Sequence, residues 1–209
     1  MPESFVIALT GGIAMGKSTA AQFLLKALPA SSVLFDADAA VQQLLTNPDI
    51  VAKISQEFGD SVLSSDGQLD RPRLREQVFD SAQQRATLEN ILHPVVRKRY
   101  EDERQRLSAS ADQRVLLADI PLLFESDYRF EHDLSITLAA SPETQIRRLA
   151  DTRGLPKDLA KNIIAAQMPI NEKMERADVV LWNEGRLARL EQQINDFTQW
   201  LRKKKKILN

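Results

Sequence analysis

Short apolar runs alternate with amphipathic stretches along this chain of 209 residues. Phe5 to Leu9 is a continuous buried-strand run that breaks into a glycine loop, and a helical pattern follows to roughly Leu28, where Pro29 and Ser31-Ser32 interrupt it. Ser32 to Phe35 reads as a second strand, ended by Asp36-Ala37-Asp38. Helical periodicity resumes from Ala39 to Leu45, and Asn47-Pro48-Asp49 supplies a turn and N-cap for a helix running to about Phe58. After a polar turn at Ser64-Ser65-Asp66-Gly67, the block from Arg71 to about Ser108 is helical in character and strandless, with Pro94 predicted as a helix start after His93. Val115 to Ile120 and Asp133 to Ala139 are strands. Helices are predicted from Pro142 and over Lys157 to about Gln167, with a break at Gly154-Leu155-Pro156. Ala177 to Trp182 is the last strand, and Arg186 to Lys203 is a closing amphipathic helix with Leu187, Leu190, Ile194, Phe197 and Leu201 at helical spacing.

Strands alternating with helices predict an α/β fold, a parallel sheet covered on both faces in three layers, with the functional edge at the strand C-termini. The strandless block then sits as a helical subdomain over those strand ends. No repeat or low-complexity linker divides the chain. The expectation is a single domain, 1–209, with a core of 1–58, 110–145 and 170–209, a helical insertion at about 59–109 and a segment of about 146–169 over the site.

Composition narrows the function. With 43% hydrophobic and 27% charged residues the chain can bury one sizeable core. Its 28 basic and 29 acidic residues leave a net charge of -1, so no global field draws nucleic acid, and the run Arg202 to Lys206 reads as a solvated tail. The absence of cysteine excludes disulfides, thiolate metal sites and a cysteine nucleophile. No apolar run reaches the length of a membrane span, and the first strand begins too early to leave room for a cleavable leader. A cytoplasmic protein without nucleic-acid or membrane partners is expected.

The glycine loop carries the strongest chemistry. Gly11, four residues, then Gly16-Lys17-Ser18 follows a strand and opens a helix, the form of a phosphate-binding P-loop. Glycines let backbone N–H groups approach a polyphosphate. Lys17 can reach the β- and γ-phosphates, Ser18 can ligate Mg2+, and the positive end of the helix faces the anion. Nucleotide-binding positions are therefore Gly12, Ile13, Ala14, Met15, Gly16, Lys17, Ser18 and Thr19. The P-loop does not name the reaction, because kinases, GTPases and motors share it. No Asn-Lys-x-Asp segment accompanies it, which argues against a guanine-specific switch.

Asp36-Ala37-Asp38 is the candidate for acceptor chemistry. In a doubly wound sheet the loop after the second strand lies beside the P-loop, where a carboxylate can meet an acceptor hydroxyl. The same residues would also serve as a helix N-cap pair. Asp119, ending the Val115 to Ile120 strand, has the position of a magnesium-holding carboxylate. Glu125 can bind acceptor or magnesium water, or pair with Arg129. Arg147, Arg148 and Arg153 suit charge neutralisation on phosphate oxygens, with Arg148 the best aligned. His132 lies in a charged stretch and is placed at the surface.

The ordered set Thr10-Gly11-Gly12-Ile13-x-x-Gly16-Lys17-Ser18-Thr19, Phe35-Asp36-Ala37-Asp38, Leu92-His93-Pro94, Pro121-Leu122-Leu123-Phe124-Glu125, Ser141-Pro142-Glu143-Thr144-Gln145 and Ala177-Asp178-Val179-Val180 with Asn183 and Gly185 resembles dephospho-CoA kinases over nearly the whole chain. That resemblance implies a P-loop NTPase-type fold with a helical acceptor-binding region and a helical lid. The implied reaction is ATP-dependent, magnesium-assisted phosphorylation of the ribose 3′-hydroxyl of dephospho-CoA by a monomer or small homo-oligomer. It implies Asp38 as general base, Lys17 and Arg148 as catalytic phosphate binders, and Asn183 and Gly185 as the adenine-side loop. His93, Leu122 and Glu125 would join Asp38 in acceptor binding, and Ser18 and Asp119 would hold the metal. The chain departs from the family pattern at Ala14-Met15, where Gly-Ser is usual, and at Thr152 and Ile163, where arginines are usual. The nearest rival is another small P-loop kinase, acting on a nucleoside monophosphate or a small metabolite.

Overall fold

Apolar strand runs place the sheet. In the computed structural model, which describes residues 4–79, 81–109 and 114–205, the strands are β1 (Phe5–Gly11), β2 (Val33–Asp36), β3 (Val115–Asp119), β4 (Leu134–Ala139) and β5 (Val179–Trp182). They form one sheet in the order β2-β3-β1-β4-β5, and every neighbouring pair is parallel. β1, β3 and β4 are buried along their whole length; β1 and β3 accordingly read as nearly continuous apolar runs, whereas β4 alternates, with Ser135 and Thr137 buried between Leu134, Ile136 and Leu138.

The order reverses around β1. Helix α1 (Lys17–Ala27) carries the chain from β1 out to β2, and after β3 the chain crosses to the other side of β1 to form β4. The loop leaving β1 therefore opens at a topological switch point, the usual ligand crevice of such sheets. The closing helix α9 (Leu187–Lys205) packs with α1 into the main core through Leu190, Ile194, Phe197 and Leu201. Leu187, expected in that stripe, is 57% exposed because it is the first residue of the helix. No helix among the described residues is long and apolar enough to cross a membrane.

Two compact units emerge, one of residues to Asp36 and from Arg104 onward, the other Ala37–Glu103. The second holds α2 (Ala37–Leu44), α3 (Pro48–Phe58), α4 (Arg71–Phe79) and most of α5 (Ala82–Ser108). Residues 37–58, expected with the sheet, thus group with the helices. Arg71 donates to the Gln42 side chain and to its carbonyl at 3.1 Å, and Arg99 donates to Gln43 Oε1 at 3.1 Å. Asn47 caps α3 as expected, accepting from the N–H groups of Asp49 and Ile50.

Pro94 lies inside α5 and does not start a helix. An internal proline costs about 3 kcal/mol, whereas each large apolar side chain buried gains about 1.5–3 kcal/mol. Leu92, Val96 and Tyr100, buried at helical spacing around it, outweigh the lost hydrogen bond. In the first unit, α6 (Pro142–Arg153) ends at left-handed Gly154, α7 (Lys157–Ala165) stops short of Gln167, and a helix that sequence periodicity did not indicate, α8 (Ile170–Arg176), precedes β5.

Candidate active site

The loop between β1 and α1 is held open from outside. Gln145 Nε2 donates to the Ile13 carbonyl at 2.9 Å, Arg148 Nη1 to the Ala14 carbonyl at 3.3 Å, and Asn183 Nδ2 to the Met15 carbonyl at 2.8 Å. Three successive carbonyls are thereby turned to protein side chains. Ala14 at φ 57 and Gly16 at φ 90 add the left-handed conformations from which anion-binding nests are built.

Gly16 is the N-cap of α1 and offers no side-chain cap, so the first-turn N–H groups keep their capacity for an anion. A Cβ on Gly16 would stand 2.5 Å from Asn183 Nδ2, and one on Gly12 would stand 2.9 Å from Gln145 Nε2. The glycine spacing is thus set by the props as well as by the ligand. Not every loop donor is available. The Gly12 N–H meets Met15 Sδ at 3.2 Å, and the Ile13 N–H donates to Gln167 Oε1 at 2.8 Å.

The segment after β5 steadies this arrangement. Asn183, 4% exposed, gives its side chain to Met15, while its own carbonyl accepts from Arg148 Nη2 at 3.0 Å. Glu184 accepts from the Ser141 N–H and from Thr144 Oγ1 at the start of α6, and those bonds hold its carboxyl below the usual range. Gly185 follows at φ 80. The loop thus anchors the helix that presents Gln145 and Arg148. Arg148 serves here as a prop of the P-loop, whereas Arg147 and Arg153 lie exposed.

Ser18 stands in the first turn of α1, and Asp119, 7% exposed, ends β3 in register with Leu9 of β1 and Asp36 of β2. A hydroxyl and a carboxylate are hard oxygen donors of the kind Mg2+ takes. That cation is usually completed by water and substrate phosphates, without an all-protein cage. Among the described residues no group of three or more His, Cys, Asp or Glu is placed to hold a metal ion.

Asp36 closes β2, and Asp38 lies exposed in the first turn of α2. His93 is exposed within α5, not at its entrance. Leu122 is 49% exposed on the stretch after β3. Glu125, on the same stretch, does not pair with Arg129; its Oε1 lies 2.7 Å from Lys173 Nζ and accepts the Met168 N–H at 3.2 Å. His132 is half-buried, with Nδ1 2.6 Å from the Phe130 carbonyl. Gln145, Gln167 and Lys173 were not singled out by sequence. Gln145 lies in the motif Ser141 to Gln145 and Gln167 in the 146–169 segment expected over the site, whereas nothing local marks Lys173.

A family model described as dephospho-CoA kinase matches residues 5–189. The dephospho-CoA kinase of Acinetobacter baylyi is 39% identical over 191 residues, spanning 91% of this chain and 94% of that protein. Among solved structures, TT1252 from Thermus thermophilus superposes with a TM-score of 0.78 at 31% identity, covering 95% of this chain and 98% of that one. The dephospho-CoA kinase from Campylobacter jejuni shares the fold with a TM-score of 0.64 at 22% identity, covering 95% and 97%.

Proposed function

Because the chain belongs to the dephospho-CoA kinase family, and so transfers the γ-phosphoryl group of ATP to the ribose 3′-hydroxyl of dephospho-CoA, we propose that Asp38, Lys17 and Arg148 carry that transfer. The outward-turned carbonyls of Ile13, Ala14 and Met15 support this reading most directly, since they leave an N–H-lined cradle at the start of α1. Gly12 to Thr19 surround the phosphates, with Lys17 placed on the β- and γ-groups as a point charge. Arg148 stabilises phosphate charge once its loop partners are shared with nucleotide, and Asn183 and Gly185 border the adenine.

The acceptor hydroxyl is far too weak an acid to lose its proton in advance. Asp38 orients it and accepts the proton as the new oxygen–phosphorus bond forms and the bond to the ADP oxygen breaks. His93, Leu122 and Glu125 serve the acceptor, with 59–109 as its helical region and 146–169 as the lid. Ser18 and Asp119 would hold Mg2+, which would supply neutralisation of the phosphate charge during transfer. The cysteine-free composition fits a cytoplasmic location, and the enzyme is proposed to act as a monomer or small homo-oligomer.

The test is incubation with ATP, Mg2+ and dephospho-CoA, with AMP and shikimate as parallel acceptors. One phosphate is gained on dephospho-CoA alone, and Asp38→Asn lowers kcat by about a hundredfold or more while ATP affinity holds. An equal loss of both would make Asp38 structural.

A further inference from the structure

Lys173 is the only charged side chain among the described residues with no solvent exposure, and it is the only buried residue of α8. Removing an ammonium from water is costly, and replacing a buried ion pair by apolar residues of similar size is often neutral or stabilising. The charge is retained for what it holds. Its Nζ donates to the Pro121 carbonyl at 3.1 Å and lies 2.7 Å from Glu125 Oε1.

Both contacts lead back to the P-loop. The Pro121 carbonyl also accepts from Thr10 Oγ1 at 3.0 Å, and Thr10 immediately precedes Gly11. Glu125 Oε1 also accepts the Met168 N–H at 3.2 Å, and the adjacent Gln167 accepts the Ile13 N–H at 2.8 Å. Hydrogen bonds and short stretches of chain thus form a closed circuit from Thr10 through Pro121, Lys173, Glu125, Met168 and Gln167 to Ile13. The backbone of Lys173 is itself fixed, since its carbonyl accepts from buried Thr137 of β4 at 3.1 Å.

We infer that Lys173 is a positioning residue for phosphoryl transfer: it ties the stretch after β3 and the end of the 146–169 segment to both flanks of the P-loop. This rests on the placement of the ATP phosphates at Lys17. Burial pushes the Lys173 pKa down, Glu125 pulls it back up, and the charge of Lys17 adds to the lowering. The Glu125 Oε2 oxygen is buried without a hydrogen-bond partner among the described residues.

The deciding variant is the double substitution Lys173→Met with Glu125→Leu, since an apolar pair often replaces a buried ion pair without loss of stability. The expected result is a Tm within about 4 °C of wild type, kcat lowered about tenfold or more, and KM for ATP and for dephospho-CoA each within about threefold, which separates positioning from any direct contact of Glu125 with the acceptor. A folded double variant whose kcat stays within about twofold, or whose loss lies in KM alone, overturns the inference. Should the pair fail to fold, Glu125→Gln keeps the shape of the site and weakens the hold on Lys173. A fall in kcat of about fivefold with KM for dephospho-CoA within about threefold supports the positioning role, and an unchanged kcat, or a loss confined to that KM, overturns it. Lys17→Met runs alongside: sustained turnover there would discard the P-loop reading itself, an outcome distinct from any result at Lys173.

Discussion

Gln145 and Gln167 grip opposite edges of one residue: the carboxamide of Gln145 donates to the Ile13 carbonyl at 2.9 Å, and that of Gln167 accepts the Ile13 N–H at 2.8 Å. Gln145 is 2% exposed, so its bond is made out of reach of water. Gln145→Leu leaves the Ile13 carbonyl without this donor and should cost about 1–3 kcal/mol of stability. With the loop loosened, KM for ATP should rise about tenfold. Denaturant midpoints and initial-rate kinetics check both, and a normal KM would show that the loop keeps its shape without this prop.

Gly16→Ala should abolish nucleotide binding without unfolding the chain. The added Cβ meets Asn183 Nδ2 at 2.5 Å, and a φ of 90 is a conformation that side chains other than hydrogen rarely adopt. Wild type should show an ATP-dependent rise in Tm, as any ligand that binds only the native state produces. That rise should vanish in Gly16→Ala while the circular dichroism spectrum is kept. Adding Asn183→Ala removes the close contact but not the strained φ, so it should not restore the shift in full.

What the sequence revealed depended on how local each signal was. The P-loop was legible because its glycines, lysine and serine fall within one short stretch of chain, and β1 and β3 because burial on both faces leaves nearly continuous apolar runs. The props were not, because Gln145 and Gln167 reach Ile13 from 132 and 154 residues away and bond only its backbone. Nothing in the identity of Ile13 advertises them. Helix α8 escaped because a seven-residue segment with Lys173 as its one buried residue has no apolar period to detect. Pro94 misled for the opposite reason: a strong local breaker was overridden by the packing of Leu92, Val96 and Tyr100.

Asp178 should make the sheet acid-sensitive. Its Oδ2 accepts from the Ser135 N–H at 2.8 Å and from Ser135 Oγ at 2.6 Å, joining the start of β4 to the residue before β5. The Ser135 bonds hold its carboxyl below the ordinary value of 3.8. A depressed folded-state pKa contributes stability that is complete above the unfolded value and lost as pH falls through the folded one. Because Asp178 is exposed, solvent screening limits the charge contribution to about 1 kcal/mol. Asp178→Asn should therefore be less stable than wild type at neutral pH, and the two should converge below about pH 4. Urea melts across that range check the convergence, and a gap independent of pH would remove the charge from the explanation.

Pro94→Ala should separate stability from acceptor use. An alanine restores the backbone donor toward the carbonyl of Asn90, one turn earlier, and removes the ring from the interior of α5, which should gain about 1–3 kcal/mol in the denaturant-derived stability. A natural helix that keeps an unfavourable residue at an exposed position, next to exposed His93, keeps it for the local shape it imposes. If that shape serves dephospho-CoA, kcat/KM for the acceptor should fall about fivefold or more while KM for ATP stays unchanged. Steady-state kinetics with each substrate varied in turn decide this. A more stable Pro94→Ala with full acceptor efficiency would mean that the proline shapes only the helix, and that acceptor recognition rests on other residues.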